Sequence, residues 1–126
     1  MIAFDSFIME EGVPIYLQIL LFIKRGIAAG TIKDGDELPS RRVLSALLGV
    51  NPNTVQKAYR MLEEEGLIQS HSGAKSYVRL DDGICRRVRS ELLERDAKSI
   101  VSAMRQMGLS RGDALSLIET YWDEVT

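Results

Sequence analysis

Two short amphipathic stretches, "SRRVLSALLG" and "NPNTVQKAYRMLEEEG", follow one another with only Val50 between them. Nothing else in the chain narrows the fold as much. Asn51 suits a helix N-cap, since its side-chain oxygen can accept from a free amide of the first turn. Pro52 fits the first helical position, where its missing N–H costs nothing. Val50 and Val55 can close over that start as a hydrophobic staple, and Gly66 supplies a left-handed stop. The spacing of Val55, Ala58, Tyr59 and Leu62 predicts one buried stripe. In the preceding stretch Val43, Leu44, Leu47 and Leu48 are expected to face inward, with Arg41 and Arg42 at its start. Two short helices joined by a tight glycine-containing turn make a helix-turn-helix.

The flanking segments extend this motif. Residues 1–13 read as a loose lead-in, and Pro14 opens a helix, "PIYLQILLFIKRGIAAG", that Gly30 closes. Ile15, Ile19, Ile23 and Ile27 recur every four residues, and Leu20, Leu21 and Phe22 widen the band, so this helix is expected to bury two faces. "TIKDGDELPS" is a turn-rich connection in which Pro39 sets up the next helix. After Gly66, Leu67 and Ile68 begin a strand, "SGAKS" makes a turn, and Tyr77, Val78 and Leu80 return. A hairpin directly after a helix-turn-helix is a wing.

From Asp82 the texture changes. "GICRRVRSELLERDAKSIVSAMRQMG" has no breaker before Gly108, and Ile84, Val88, Leu92, Ile100, Met104 and Met107 recur at helical spacing. Ser110 and Asp113 form a capping-box-like start for a last helix that carries Leu115, Ile118, Tyr121, Trp122 and Val125. Such a hairpin is too thin to build a core of its own. The expected fold is mainly α with a small β-hairpin: a winged helix-turn-helix over residues 1–81, then a two-helix hairpin over residues 82–126 that must pack on the first helix, on a second copy of itself, or on both.

Bulk properties exclude several classes. In 126 residues with net charge −2, the single cysteine, Cys85, rules out an intramolecular disulfide or a cysteine-cluster metal site. The longest apolar run, "ILLFI", is far shorter than the roughly 20 residues a bilayer span needs. With no secretory leader evident, a cytoplasmic protein is expected. One histidine, no phosphate loop and no histidine–carboxylate motif give no basis for an enzyme, a metal or a cofactor. Charge is uneven, however. Residues 38–62 hold Arg41, Arg42, Lys57 and Arg60 and no acid, while "DGDE" and "EEE" flank them. A confined basic surface on an acidic protein favours an anion at one place.

In helix-turn-helix proteins the second helix enters the DNA major groove N-terminus first. Asn53, Thr54, Gln56 and Lys57 are suited to base edges or phosphates, and Arg60 and Arg42 to phosphates or a guanine. Gly73 and Lys75 at the wing tip suit a close approach to phosphate or the minor groove. Ser40 serves equally as a helix cap or a phosphate donor. His71 reads as plain strand surface. The alternative is a winged-helix module that binds protein, for which the net negative charge and the "EEE" run speak.

"PIYLQI", "LPSRRVLSALLGVNPNTVQKAYRMLEEEGLI" and "SGAKSYV" together resemble the DNA-binding domain of GntR-family bacterial transcription regulators over about residues 14–80. "NPNTVQKAY" and the short C-terminal "MGLSRGDALSLIETYWDEV" are similar to the YtrA-like branch, where the C-terminal segment serves dimerisation. The resemblance implies that Arg42, Asn53, Thr54, Gln56, Lys57 and Gly73 contact DNA. The chain departs from the pattern at Val43, where a glutamate is usual, and at Lys75, where the wing has a second glycine. Many members carry arginine where Pro52 and Gln56 stand, so base preference does not transfer. The implied protein is a homodimeric regulator, expected to repress. It would bind a palindromic double-stranded operator through a recognition helix at about 51–65 and a wing at about 67–80. A small-molecule effector of unknown identity is sought between the first helix and the C-terminal hairpin, where Tyr121 and Trp122 are candidates.

Overall fold

The computed structural model describes residues 1–71 and 75–125. Its elements run α1 (Ile15–Ala29), β1 (Glu37–Leu38), α2 (Arg41–Leu48), α3 (Pro52–Glu64), β2 (Ile68–Ser70), β3 (Ser76–Val78), α4 (Asp82–Gln106) and α5 (Arg111–Tyr121). The mainly helical winged helix-turn-helix is present. The wing is a three-stranded antiparallel sheet in the order β1-β3-β2, with Ile68 opposite Val78 and Leu38 opposite Ser76. The third strand, β1, lies inside the segment read as turn alone. At two residues it is too short to show alternation, and its partner β3 defines it.

The chain forms two compact units, Met1–Leu92 and Leu93–Thr126. In the first, α1, α3, the sheet and the start of α4 enclose one core. Ile19, Ile23, Leu44, Val55, Ala58, Tyr59, Leu62 and Leu67 are completely buried there. Val88 and Leu92 of α4 join the same core. Burying a side chain of this size contributes about 1.5–3 kcal/mol, so the stripe of α3 alone is a large part of what holds the unit together.

α1 buries two faces, as its breadth predicted, but the second is covered by the N-terminal segment. Residues 1–13 are not a loose lead-in. Ile2 and Phe4 are buried, and Phe4 stacks on Phe22 at 4.9 Å while Phe7 meets Phe22 edge-on at 5.4 Å. The Ile2 N–H donates to the Glu37 carbonyl, and the Gln18 amide donates to the carbonyls of Glu10 and Val13. Scattered aromatics carry no periodicity, so only their packing partner reveals them. In the last turn of α1, a Cβ on Gly26 would lie 2.4 Å from the Ile32 side chain, so any larger residue there would displace Ile32 from its buried position.

α2 also differs from its reading. Leu44 is buried, but Val43 and Leu47 are 53% and 63% exposed. Val43, Leu44, Leu47 and Leu48 span a band wider than an eight-residue helix can bury, and periodicity does not say which edge goes in. The buried edge includes Ser45, whose hydroxyl donates to the Val50 carbonyl across the turn. A small hydrogen-bonded residue thus sits where the corner is tightest.

The second unit holds the end of α4 and α5. α5 is capped by Ser110, whose hydroxyl accepts from the Asp113 N–H, yet none of its residues is buried. Leu115, Leu117, Ile118, Tyr121 and Trp122 are exposed, as are Ile100, Val101 and Met107 of the same unit.

Candidate nucleic-acid interface

The start of α3 is built as its residues dictate. Asn51 Oδ1 accepts from the Asn53 N–H at 2.8 Å, Pro52 occupies the first turn, and Val50 packs against the core. With Val55, Ala58, Tyr59 and Leu62 buried, the opposite side of α3 is left to solvent. Asn53, Gln56, Lys57 and Arg60 are exposed there and Thr54 is half-buried on the flank. The Asn53 and Gln56 side chains are uncommitted among the described residues.

α2 is tied to α3 through Tyr59. Its hydroxyl, deep in the core, donates to the Pro39 carbonyl at 2.7 Å and so anchors the residue before the α2 cap. Burial holds the Tyr59 hydroxyl protonated far above its ordinary range, against a smaller opposing pull from Arg41. The Arg41 guanidinium lies 5.1 Å from the Tyr59 ring, a cation–π contact on the half-buried side of α2. Ser40 caps α2, accepting from the Val43 N–H at 3.1 Å, which leaves its hydroxyl proton free to donate elsewhere. Arg42 projects into solvent next to it, without a partner among the described residues.

The charges around this surface are sorted. Neither α2 nor α3 has an acid in its first turn, whereas α4 and α5 have Asp82 and Asp113 in theirs. The positive ends of the two helix dipoles are therefore not neutralised on this face. At the far end of α3 the three glutamates are occupied. Glu63 accepts from the Ser70 hydroxyl, Glu64 faces Arg60 at 3.9 Å, and Glu65 pairs with Lys24 at 2.6 Å. Such exposed pairs stabilise little, but they hold carboxylates away from the N-terminal half of α3.

On the wing, the His71 N–H donates to the Lys75 carbonyl, and the His71 ring meets Tyr77 edge-on at 5.3 Å. Lys75 is exposed at the base of the turn. Gly73 lies outside the described residues. The sequence reading passed over Tyr16, whose ring lies 3.9 Å from the Lys57 ammonium. No spacing rule links a residue near the start of α1 to one in the middle of α3, so only the packing of the two helices brings them together.

The profile described as "Bacterial regulatory proteins, gntR family" matches residues 15–78. The chain belongs to that family. Its members are helix-turn-helix transcriptional regulators and not enzymes. The HTH-type transcriptional repressor YtrA of Bacillus subtilis is 44% identical over 69 residues, which cover 55% of this chain and 53% of that protein. The HTH-type regulator YhcF of the same organism is 30% identical over 89% of this chain and 93% of its own length. A GntR family transcriptional regulator from Listeria monocytogenes superposes with a TM-score of 0.76 at 29% identity, over 89% of this chain and 98% of the other. For this gntR-family chain, no helix among the described residues is long and apolar enough to cross a membrane, and no group of histidine, cysteine and carboxylate side chains there could hold a metal ion.

Proposed function

We propose that this gntR-family regulator is a homodimeric repressor that binds a palindromic operator in double-stranded DNA. The observation that carries the reading is the division of α3. One stripe is completely buried, and the other side presents Asn53 and Gln56 uncommitted on a helix start pinned by Asn51 and Pro52. In the proposed complex Asn53, Thr54 and Gln56 face base edges. Arg42, Lys57 and Arg60 hold phosphates, with Ser40, Gly73 and Lys75 as backbone contacts around them.

DNA reading is assigned to residues 1–81 and assembly to residues 82–126. The exposed apolar residues Leu115, Ile118 and Tyr121 of α5 support assembly, since clustered apolar surface marks an interaction site. A two-fold dimer would space its recognition helices for half-sites roughly 34 Å or a multiple apart. An effector would act only by binding two arrangements of that dimer with different affinity. The exposed Val43 and Leu47 favour a second reading, a winged-helix module that binds protein.

Fluorescence anisotropy with duplexes from upstream of the protein's own gene and from selected genomic fragments separates the two. Specific binding that weakens with salt is the expected outcome, with Gln56→Ala costing about 1–3 kcal/mol as a base contact and Arg42→Ala weakening every duplex alike as a phosphate contact. If neither upstream nor selected fragments are preferred over scrambled duplex, the protein-binding module takes its place.

A further inference from the structure

The lysines of this chain are held in different ways. Lys24 and Lys98 spend their charge on carboxylates, with Glu65 at 2.6 Å and Glu94 at 2.7 Å. Lys57 has no carboxylate partner among the described residues; its ammonium instead lies 3.9 Å from the centre of the Tyr16 ring. An aromatic face attracts a cation without neutralising it. Lys57 is therefore restrained without a counter-charge among the described residues, on a surface where the nearby helix N-termini lack acids.

The side of α3 on which this happens is informative. At about 100° per residue, Lys57 lies near the middle of the solvent side of α3, on the half toward Thr54 and Met61, and Gln56 falls on the opposite flank. Thr54 and Met61 are half-buried and Gln56 is exposed. Tyr16, from α1, draws the ammonium toward the half-buried flank and away from Gln56. A compact point charge held at the edge of a recognition helix suits a phosphate, whereas a guanine edge needs a side chain that can reach across the groove.

We propose that Tyr16 is a positioning residue for Lys57, and that the pair acts as one clamp on a DNA backbone phosphate rather than as a base reader. This rests on the DNA-binding reading above. Restraining a flexible side chain before binding removes part of the ordering cost of the contact, so Tyr16 contributes to affinity without meeting the DNA itself.

The experiment uses the full chain and the duplex selected by the wild type, with scrambled duplex beside it, across a salt series. Lys57→Ala is expected to weaken both duplexes by the same factor and to reduce the salt slope by about 0.9 per protomer bound. Tyr16→Leu should cost about two- to fivefold in affinity with Lys57 present and nothing in the Lys57→Ala background. Tyr16→Phe, which keeps the ring, should match the wild type. In the free protein, the Lys57 Hε resonances should be shifted upfield by the ring and return to ordinary positions in Tyr16→Leu, which tests the contact without DNA.

Equal losses from Tyr16→Leu in both backgrounds would make Tyr16 merely structural and overturn the proposal. So would a Tyr16→Phe loss as large as that of Tyr16→Leu, which would assign the contact to the hydroxyl. A Lys57→Ala loss confined to the selected duplex would make Lys57 a base reader. If the wild type prefers no duplex, the DNA-binding reading itself has failed and the clamp falls with it; the arms that compare variants are read only where the wild type binds.

Discussion

Helices α3 and α5 invite comparison because their local designs are alike and their outcomes are opposite. Each opens on a side chain that accepts from an amide of the first turn, Asn51 in one and Ser110 in the other. Both carry apolar residues at helical spacing. Yet α3 buries Val55, Ala58, Tyr59 and Leu62 completely, while α5 buries nothing. Capping and periodicity are enough to make a helix, but burial requires a surface to pack against. α1, α2 and the sheet supply it for α3. Within its own unit α5 has only the end of α4, and Trp122 remains 74% exposed. α3 is part of a finished core; α5 has the surface of an unfinished one.

The comparison can be broken most directly by truncating both stripes. Leu62→Ala should cost about 2–5 kcal/mol in urea unfolding, because it leaves a cavity in a packed interior. Ile118→Ala should stay within about 0.5 kcal/mol in a monomer, like other exposed positions. A cost from Ile118→Ala that grows with protein concentration would show that α5 is buried in an assembly. Ile118→Asp sharpens the point. On the dimer proposal, sedimentation should show the variant shifted to monomer, with the first unit still folded by circular dichroism.

Smaller effects test how α3 is held. Tyr59→Phe removes the donor to the buried Pro39 carbonyl and should cost about 1–3 kcal/mol. It should also change the response to alkali. The folded state keeps Tyr59 protonated above its ordinary value of 10.0, whereas the unfolded chain ionises there. That contribution to stability is therefore complete below pH 10 or so and is lost as pH rises beyond it. Urea midpoints measured on both sides of that value should show less of this fall in Tyr59→Phe. The smallest test is the matched pair Asn51→Ala and Ser110→Ala, each expected to cost its own helix about 1 kcal/mol. By hydrogen exchange, the Ser110 change should loosen α5 alone, and the Asn51 change should register across the first unit because α3 belongs to its core.

What could be read in advance follows the same division. The caps of α3 and α5, the buried stripe of α3 and the glycine at its end are local facts, set by residues within a turn or two of each other. The readings that failed concern choices among surfaces. Val43 and Leu47 had the right spacing for a core, but α2 buries its Leu44 and Ser45 edge and leaves them in solvent. Phe4 and Phe7 lacked any periodicity and nonetheless cover the second face of α1 through Phe22. The candidate interface residues on α2 and α3 could be named in advance because one motif carries them. Tyr16 was not legible, since its contact with Lys57 spans two helices far apart in the chain.

By itself, then, the order of residues determined which segments are helices, where they start and stop, and that a winged helix-turn-helix stands between Pro14 and Asp82. These follow from backbone hydrogen bonding and side-chain spacing, which act over a few residues. Tertiary structure alone decided which edge of α2 is buried, that the N-terminal segment closes over α1, that β1 joins the sheet, and that Tyr16 holds Lys57. Each of those depends on two surfaces meeting, and the burial that rewards the meeting is non-directional and indifferent to distance along the chain.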